Sequence, residues 1–169
     1  MKAQGLYSPQ YEHDACGVGF VVNMDGRAEH GIVERGVQVL VNLLHRGATG
    51  ADVKTGDGAG LLLQIPHRFF KESLKMKLPA PGRYAVGMLF VPQNEMYRKE
   101  CVSLFEKICA EENFKLLSWR DVPAAPDVVG NDARREMPKI VQVFLTDKKA
   151  PREGEDLERA LLIVRKRVE

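Results

Sequence analysis

The fold of this chain is constrained most by four short apolar runs that alternate with amphipathic stretches. Across residues 29–45, apolar side chains recur at the spacing of one helix face, and three further stretches are predicted helices: 66–77, 94–113 and 155–169. The runs between them are typical of strands buried on both faces: LLLQI (61–65), RYAVGMLFV (83–91), FKLLSWRDV (114–122) and KIVQVFLT (139–146). The alternation predicts a sheet covered by helices, either one doubly wound sheet or two stacked sheets.

The N-terminal part follows a different pattern. Residues 1–15 show no periodicity and are predicted to be an extended leader, whereas CGVGFVVN (16–23) is a predicted strand whose glycines permit close backbone approach. Residues 23–26 contain Asp-Gly and predict a turn, and Asn94 is a predicted helix N-cap. A long glycine-rich loop is expected at 46–60, and an irregular connection at 123–138.

Composition and charge exclude several classes of protein. Hydrophobic residues make up 44% and charged residues 28% of the chain, which is typical of a globular protein. The net charge is +2 without a basic stripe, so we expect no nucleic-acid partner. No apolar run approaches the roughly 20 residues of a membrane span. The three cysteines lack metal-type spacing, so we expect a cytoplasmic protein with no metal site.

Cys16 is the first candidate for chemistry. It opens a Gly-Val-Gly segment that leaves space around its sulfur. If residues 1–15 were removed, the new α-amine, with an ordinary pKa of about 8, could take the thiol proton. The alternative from the local sequence is a small, buried core cysteine.

Two further segments offer binding groups. Arg46 lies at the end of a predicted helix and could bind a carboxylate in a bidentate fork, or it could simply complement the helix dipole. His45 is expected to be a structural helix-end residue. TGDGAG (55–60) lacks the Gly-Lys-Ser/Thr of a nucleotide-binding loop. It is either a backbone that approaches an active centre closely or a tight connection that needs positive φ.

Together these segments closely resemble the N-terminus of the glutamate synthase large subunit. The matching strings are GLYSPQYE, HDACGVGF, NLLHRGATGAD and TGDGAGLLLQIPHRFF, with a weaker match through YAVGMLFVP and WRDVP. The resemblance implies an α+β chain. It further implies a class-II glutamine amidotransferase domain of the N-terminal-nucleophile hydrolase type, with four αββα layers. Residues 1–15 would be the leader, and 16–169 the N-terminal portion of that domain, so the fold would be incomplete.

The resemblance also implies roles for individual residues. Cys16 would attack glutamine, Arg46 would shape the glutamine site, and Gly47, Asp57 and Gly58 would form the supporting loop. The family's oxyanion Asn-Gly pair is not matched, because Asn131 is followed by aspartate. FMN and an iron–sulfur cluster would be bound only by the remainder of the parent enzyme, and this chain would hold no cofactor.

The expected partners are therefore glutamine and the remaining glutamate synthase polypeptide or subunits. The expected function is hydrolysis of glutamine to glutamate and ammonia through a cysteine thioester, with ammonia passing to 2-oxoglutarate. Two alternatives stay open. One is a truncated or split fragment without catalysis that binds a partner. The other is a different amide hydrolase with the same nucleophile logic.

Overall fold

The computed structural model describes residues 17–48, 52, 54–74, 77–149 and 151–169. These residues divide into two compact units, which are described separately. The first contains the described residues up to Gln64 together with Asp127–Arg134, and the second contains Ile65–Pro126 and Arg135–Glu169. The leader predicted at 1–15 and the candidate nucleophile Cys16 lie outside the described residues.

The second unit is built on a three-stranded antiparallel sheet in the order β1-β3-β2. The strands are β1 (Ala85–Val91), β2 (Phe114–Asp121) and β3 (Lys139–Asp147). The helices of this unit are α2 (His67–Ser73), α3 (Glu95–Glu111) and α5 (Gly154–Val168). Three predicted strands and three predicted helices are thus confirmed, with α2 ending earlier than expected. A doubly wound parallel sheet is wrong for these strands, because every pairing is antiparallel.

Both faces of β3 carry core residues. On one face, Val143 is fully buried against α3 and α5, in a cluster that includes Phe105, Phe114 and Leu157. On the other face, Phe144 is fully buried and meets Phe70 of α2 edge to face, with ring centroids 4.9 Å apart. Alternate side chains of a strand point to opposite faces, so the central strand supplies both clusters.

Local signals explain where several elements begin and turn. Asn94 caps α3, because its side-chain oxygen accepts the backbone N–H groups of Met96 and Tyr97 at 2.9 and 3.2 Å. The turn at 23–26 also forms as predicted, with the Gly26 N–H donating to the Asn23 carbonyl and Gly26 at φ +69°. Such a positive φ suits glycine because it has no Cβ.

The described part of the first unit contains α1 (His30–Asn42), a 3-10 turn at Leu44–Arg46, extended chain, and the first four residues of the short helix α4 (Asn131–Glu136). The predicted strands at 16–23 and 61–65 are wrong for their described residues, since neither range is assigned as a strand. A strand needs hydrogen bonds to a neighbouring strand, and neither range has one in the described sheet.

The extended ranges pack instead on α1. A Cβ added at Gly19 would lie 2.5 Å from Cγ1 of Val39, so the predicted close approach at the glycines is confirmed. Likewise, a Cβ on Gly36 of α1 would lie 2.8 Å from Leu61. A cavity of about 440 Å³ remains between α1 and these ranges, and its lining is apolar or glycine throughout. No helix in the described part of the chain is both long and apolar enough to cross a bilayer.

Candidate functional site

Arg46 lies beside the residue that follows the candidate nucleophile. A Cβ added at Gly17 would be 3.4 Å from Cγ of Arg46 and 3.1 Å from Leu43. Helix α1 and the 3-10 turn after it carry both Leu43 and Arg46, so the end of this helix is the surface on which Gly17 rests. Gly17 follows Cys16 directly in the sequence, and no side chain other than hydrogen would fit this approach without displacement.

The guanidinium of Arg46 is exposed, and no carboxylate among the described residues forms an ion pair with it. Its neighbour His45 places Nδ1 at 2.9 Å from the Asn42 carbonyl oxygen, to which the ring N–H donates. This contact confirms His45 as a helix-end structural residue. Among the described residues, no side-chain carboxylate engages the five N–H donors of Arg46.

Asp57 closes the base of the glycine-rich loop. Its side-chain oxygen accepts the N–H of Ala48 at 2.9 Å, and its own backbone N–H donates to the Ala48 carbonyl at 3.0 Å. We call this pair of contacts the Asp57–Ala48 clasp. It ties the chain two residues after Arg46 to the aspartate that the sequence placed in the loop. Arg46, Gly47 and Asp57 are thereby held in one local structure.

The glycines of this loop are not explained by backbone strain. Gly47 has φ −88° and ψ 152°, which any residue adopts, and Gly58 is not among the glycines with positive φ. A Cβ added at Gly58 or Gly60 would meet nothing described within 4 Å. The interpretation of a tight connection needing positive φ is therefore wrong for Gly58 and Gly60. The open space beside them is compatible with close approach of a ligand or of further polypeptide.

A contact that the sequence did not reveal joins the loop to α4. Asp52 Oδ2 accepts the backbone N–H of Asn131 at 3.0 Å, and the Gly130 N–H donates to the Lys54 carbonyl at 3.3 Å. Within the loop, the Lys54 N–H donates to Asp52 Oδ1 at 3.0 Å. The pKa of Asp52 lies below its ordinary value, mainly because the Lys54 N–H stabilises the carboxylate; desolvation opposes this effect, and the Asn131 N–H adds a smaller lowering. Because 79 residues separate Asp52 from Asn131, no local sequence pattern could indicate this pairing.

Asn131 itself is the first residue of α4, and its backbone N–H is engaged by Asp52. That Asn131 is a poor substitute for an oxyanion-hole asparagine stays a prediction. Its backbone N–H has a structural role, because it binds the Asp52 carboxylate. The role of Cys16 is likewise a prediction, since that residue lies outside the described ranges.

Comparison with known proteins gives one family and several longer relatives. The family described as class-II glutamine amidotransferases matches residues 16–169. The chain is 41% identical to the large chain of NADPH glutamate synthase from Bacillus subtilis, over 99% of this chain and 11% of that protein. It is 45% identical to NADH glutamate synthase from Saccharomyces cerevisiae, over 88% of this chain and 7% of that protein.

A plant protein gives a similar match. Ferredoxin-dependent glutamate synthase 1 from Arabidopsis thaliana is 40% identical, over 94% of this chain and 10% of that protein. The chain thus spans 7–11% of the length of these three relatives.

Proposed function

This chain belongs to the class-II glutamine amidotransferase family, and from that premise we propose that it carries the nucleophile-bearing part of a glutaminase domain. The domain would release ammonia from glutamine within a glutamate synthase, where the ammonia aminates 2-oxoglutarate. The names of the relatives support this assignment, because they are glutamate synthases that use NADPH, NADH or ferredoxin.

The observation that carries the proposal is the close approach of the Arg46 side-chain stem to Gly17, where an added Cβ would lie 3.4 Å from Cγ of Arg46. It brings the stem of an exposed arginine, whose N–H donors no described residue engages, beside the residue that follows Cys16 in the sequence. A guanidinium binds a carboxylate through two parallel hydrogen bonds, and glutamine presents an α-carboxylate. We infer that Arg46 orients glutamine so that its side-chain amide faces the thiol of Cys16.

The proposed reaction starts after residues 1–15 have been removed. The α-amine of Cys16 accepts the thiol proton, and the thiolate adds to the Cδ carbonyl of glutamine. The C–N bond then breaks, and the protonated amine gives its proton to the leaving ammonia. Water hydrolyses the γ-glutamyl thioester, which releases glutamate and restores the thiol.

The loop after Arg46 supports this arrangement without taking part in bond making. Asp57 holds Ala48 through the Asp57–Ala48 clasp, so Gly47 and Arg46 start from a fixed point. Gly58 has open space beside it, which would let the backbone approach the bound substrate. The donors that stabilise the oxyanion come from elsewhere in the proposed enzyme. Losing one such donor commonly costs about 10²- to 10³-fold in rate, so the isolated chain should be a poor catalyst.

We further propose that the domain completes the four αββα layers of an N-terminal-nucleophile hydrolase. One face of the sheet is covered by α3 and α5. The opposite face is covered by α2 only near Phe144, while Met88 and Phe90 on that face remain 50% and 66% exposed. Apolar side chains at adjacent positions of one sheet face favour a second packed layer.

The same reasoning supports a partner for the first unit. The extended range after Cys16 exposes alternate apolar side chains, with Val18 and Phe20 each 89% exposed. We propose that the rest of the synthase polypeptide covers them, and that FMN and the iron–sulfur cluster are bound there. A cytoplasmic location accompanies this proposal, as expected from the cysteine pattern.

A glutamine analogue that carries a diazoketone in place of the amide tests the assignment. The test uses the complete natural protein that contains this sequence, with any subunits it requires. Mass spectrometry should locate the adduct on Cys16, and glutamine in excess should prevent it. A Cys16→Ala variant is the matched control and should take up no label. Labelling of Cys101 or Cys109 instead would contradict the proposal.

Intact mass separates the proposal from the partner-binding alternative, which the comparisons do not favour. A mass that lacks residues 1–15 shows the maturation step on which the mechanism depends. An unprocessed N-terminus together with no glutaminase activity in the complete protein would support the non-catalytic alternative. Cleavage with preference for another amide would indicate a different amide hydrolase.

A further inference from the structure

Gly130 is the one residue of the first unit that is buried, among those the structure describes there. A Cβ added at Gly130 would lie 1.9 Å from Oδ2 of Asp52 and 2.2 Å from Oγ1 of Thr55. Real Cβ atoms do not approach heavy atoms so closely, so only glycine allows the carboxylate to lie here. Among the described glycines of this unit, Gly130 therefore has the closest neighbour, and the Asp52 carboxylate lies directly against residues 130 and 131.

The carboxylate uses both of its oxygens as acceptors. Oδ1 accepts the Lys54 N–H at 3.0 Å, while Oδ2 accepts the Asn131 N–H at 3.0 Å and the Thr55 hydroxyl at 3.3 Å. A carboxylate is acceptor-only and suits this ring of donors, whereas an amide would turn an NH2 group towards one of the N–H donors. The position therefore distinguishes aspartate from asparagine, although the two have the same shape.

Asp52 lies in the middle of the loop that begins at Arg46. The Asp57–Ala48 clasp fixes the base of that loop at residues 48 and 57. Asp52, with the Gly130 N–H bond to Lys54, attaches the middle of the loop to α4. We call these contacts the Asp52–α4 tether. The clasp and the tether together hold the loop at two points.

We propose that Asp52 is a positioning residue for the glutamine site, acting through the Asp52–α4 tether to keep Arg46 and the Asp57–Ala48 clasp in the geometry that binds glutamine. The inference rests on the proposed function, because it assumes that Arg46 orients glutamine. Asp52 touches no reacting atom and acts only by holding the loop. A displacement of about 1 Å in a binding group can cost up to about 10²-fold in activity, so a loosened loop should be measurable.

Two variants break the tether from opposite sides. Asp52→Asn replaces one acceptor oxygen by a donor, and Gly130→Ala puts a methyl group where the carboxylate lies. In the complete protein, each should raise KM for glutamine by roughly 10-fold or more, with a smaller fall in kcat. Because both remove the same contact, the double variant should raise KM much less than the product of the single effects.

Matched controls exist within the same unit. Asp25→Asn removes an exposed carboxylate that pairs only with nearby Arg27 among the described residues. Gly31→Ala adds a methyl group whose nearest described neighbour would be the end of the Arg35 side chain at 3.9 Å. Both controls should retain the KM of the wild type. Alkylation of Cys16 by iodoacetamide, which has no carboxylate for Arg46, should proceed at the wild-type rate in all four single variants.

Hydrogen exchange supplies the structural readout. The Asn131 amide should be protected in the wild type and should lose that protection in both tether variants. An unchanged KM in the two variants, or an unprotected Asn131 amide in an active wild type, would overturn the inference. Failure of the proposed function is distinguishable, since it appears as no glutamine turnover by the wild-type complete protein.

Discussion

The two units of this chain are stabilised in different ways. Among its described residues, the second unit has 15 buried hydrophobic residues around its sheet. Among the described residues of the first unit, only Gly130 is buried, and it is covered by polar atoms. The first unit nevertheless carries Arg46, Gly47, Asp57 and Gly58.

Within the part of the first unit that the structure describes, no apolar core of buried side chains holds the candidate site in place. Its loop is held by the Asp57–Ala48 clasp and the Asp52–α4 tether, which are hydrogen bonds in partly exposed surroundings. Each such bond contributes only about 0.5–1.5 kcal/mol net, or somewhat more where a charged group takes part. The first unit should therefore depend on further polypeptide for its stability, whereas the second should not.

The largest expected effect is on chemistry in the first unit. Cys16→Ser in the complete protein should lower kcat for glutamine hydrolysis by more than about 10³-fold, because a serine hydroxyl is a far weaker nucleophile beside an amine base. Circular dichroism and thermal unfolding should match the wild type, since the substitution exchanges one sulfur atom for oxygen and changes none of the described core residues of the second unit. Activity within tenfold of the wild type would remove Cys16 from the mechanism.

Truncating a core side chain of the second unit should lower the free energy of unfolding. Phe114 is 1% exposed in the main cluster, so Phe114→Ala should destabilise the second unit by about 3–5 kcal/mol. Denaturant unfolding of the 169-residue chain, followed by the fluorescence of Trp119, measures this change. Leu104→Ala is the matched control, because Leu104 is 55% exposed on α3 and its loss should cost less than about 1 kcal/mol. Equal effects of the two substitutions would contradict a closed core.

The exposed Cys101 and the buried Cys109 should differ in their rate of alkylation, and this difference should depend on pH. Burial, and then the nearby Glu106 carboxylate, raises the pKa of the Cys109 thiol from 9.0 to about 11. At pH 7 about one such thiol in 10⁴ is ionised, and the thiolate is the reactive form. Cys109 should resist alkylation while exposed Cys101 reacts, and its labelling should rise only as pH approaches 11. Rapid labelling of Cys109 at pH 7 would mean that this core opens.

The raised pKa also has a consequence for stability. The folded chain keeps the Cys109 thiol protonated to a higher pH than the unfolded chain does. The resulting contribution to the free energy of unfolding is fully present below pH 9 and is lost as pH rises through about 11. Unfolding of the second unit should therefore become easier over this alkaline range. A Cys109→Ala variant should show less of this alkaline loss than the wild type.

The effect expected to be smallest is that of substituting Arg46, the residue proposed to bind the α-carboxylate of glutamine. Arg46→Lys keeps the charge but replaces the planar fork by a single ammonium, so KM for glutamine should rise by roughly 10-fold. Steady-state kinetics of the complete protein measure it, with Arg35→Lys on exposed α1 as the control of the same type. A KM equal to that of the wild type would leave Arg46 as a cation that only complements the end of a helix.

Prediction from sequence succeeded where each signal is local. The cap at Asn94, the turn at 23–26 and the helix now seen as α1 depend on residues within a few positions of one another. The predictions of β1, β2 and β3 are also confirmed, because each of these strands pairs with a neighbouring strand among the described residues. The strand predicted at 61–65 is wrong, although its run of leucines is equally apolar. Its backbone has no neighbouring strand in the described sheet, and an apolar pattern cannot supply one.

The candidate residues for chemistry could be read from the sequence alone, because the motifs around Cys16, Arg46 and Asp57 indicate a family that the comparison confirms. What holds Arg46 and Asp57 in place became visible only in the folded chain. The strand order β1-β3-β2, the close approach of the Arg46 stem to Gly17, and the burial of Gly130 under Asp52 all join residues far apart in the chain. A motif records residue types over a short span, whereas these contacts depend on how the whole chain packs.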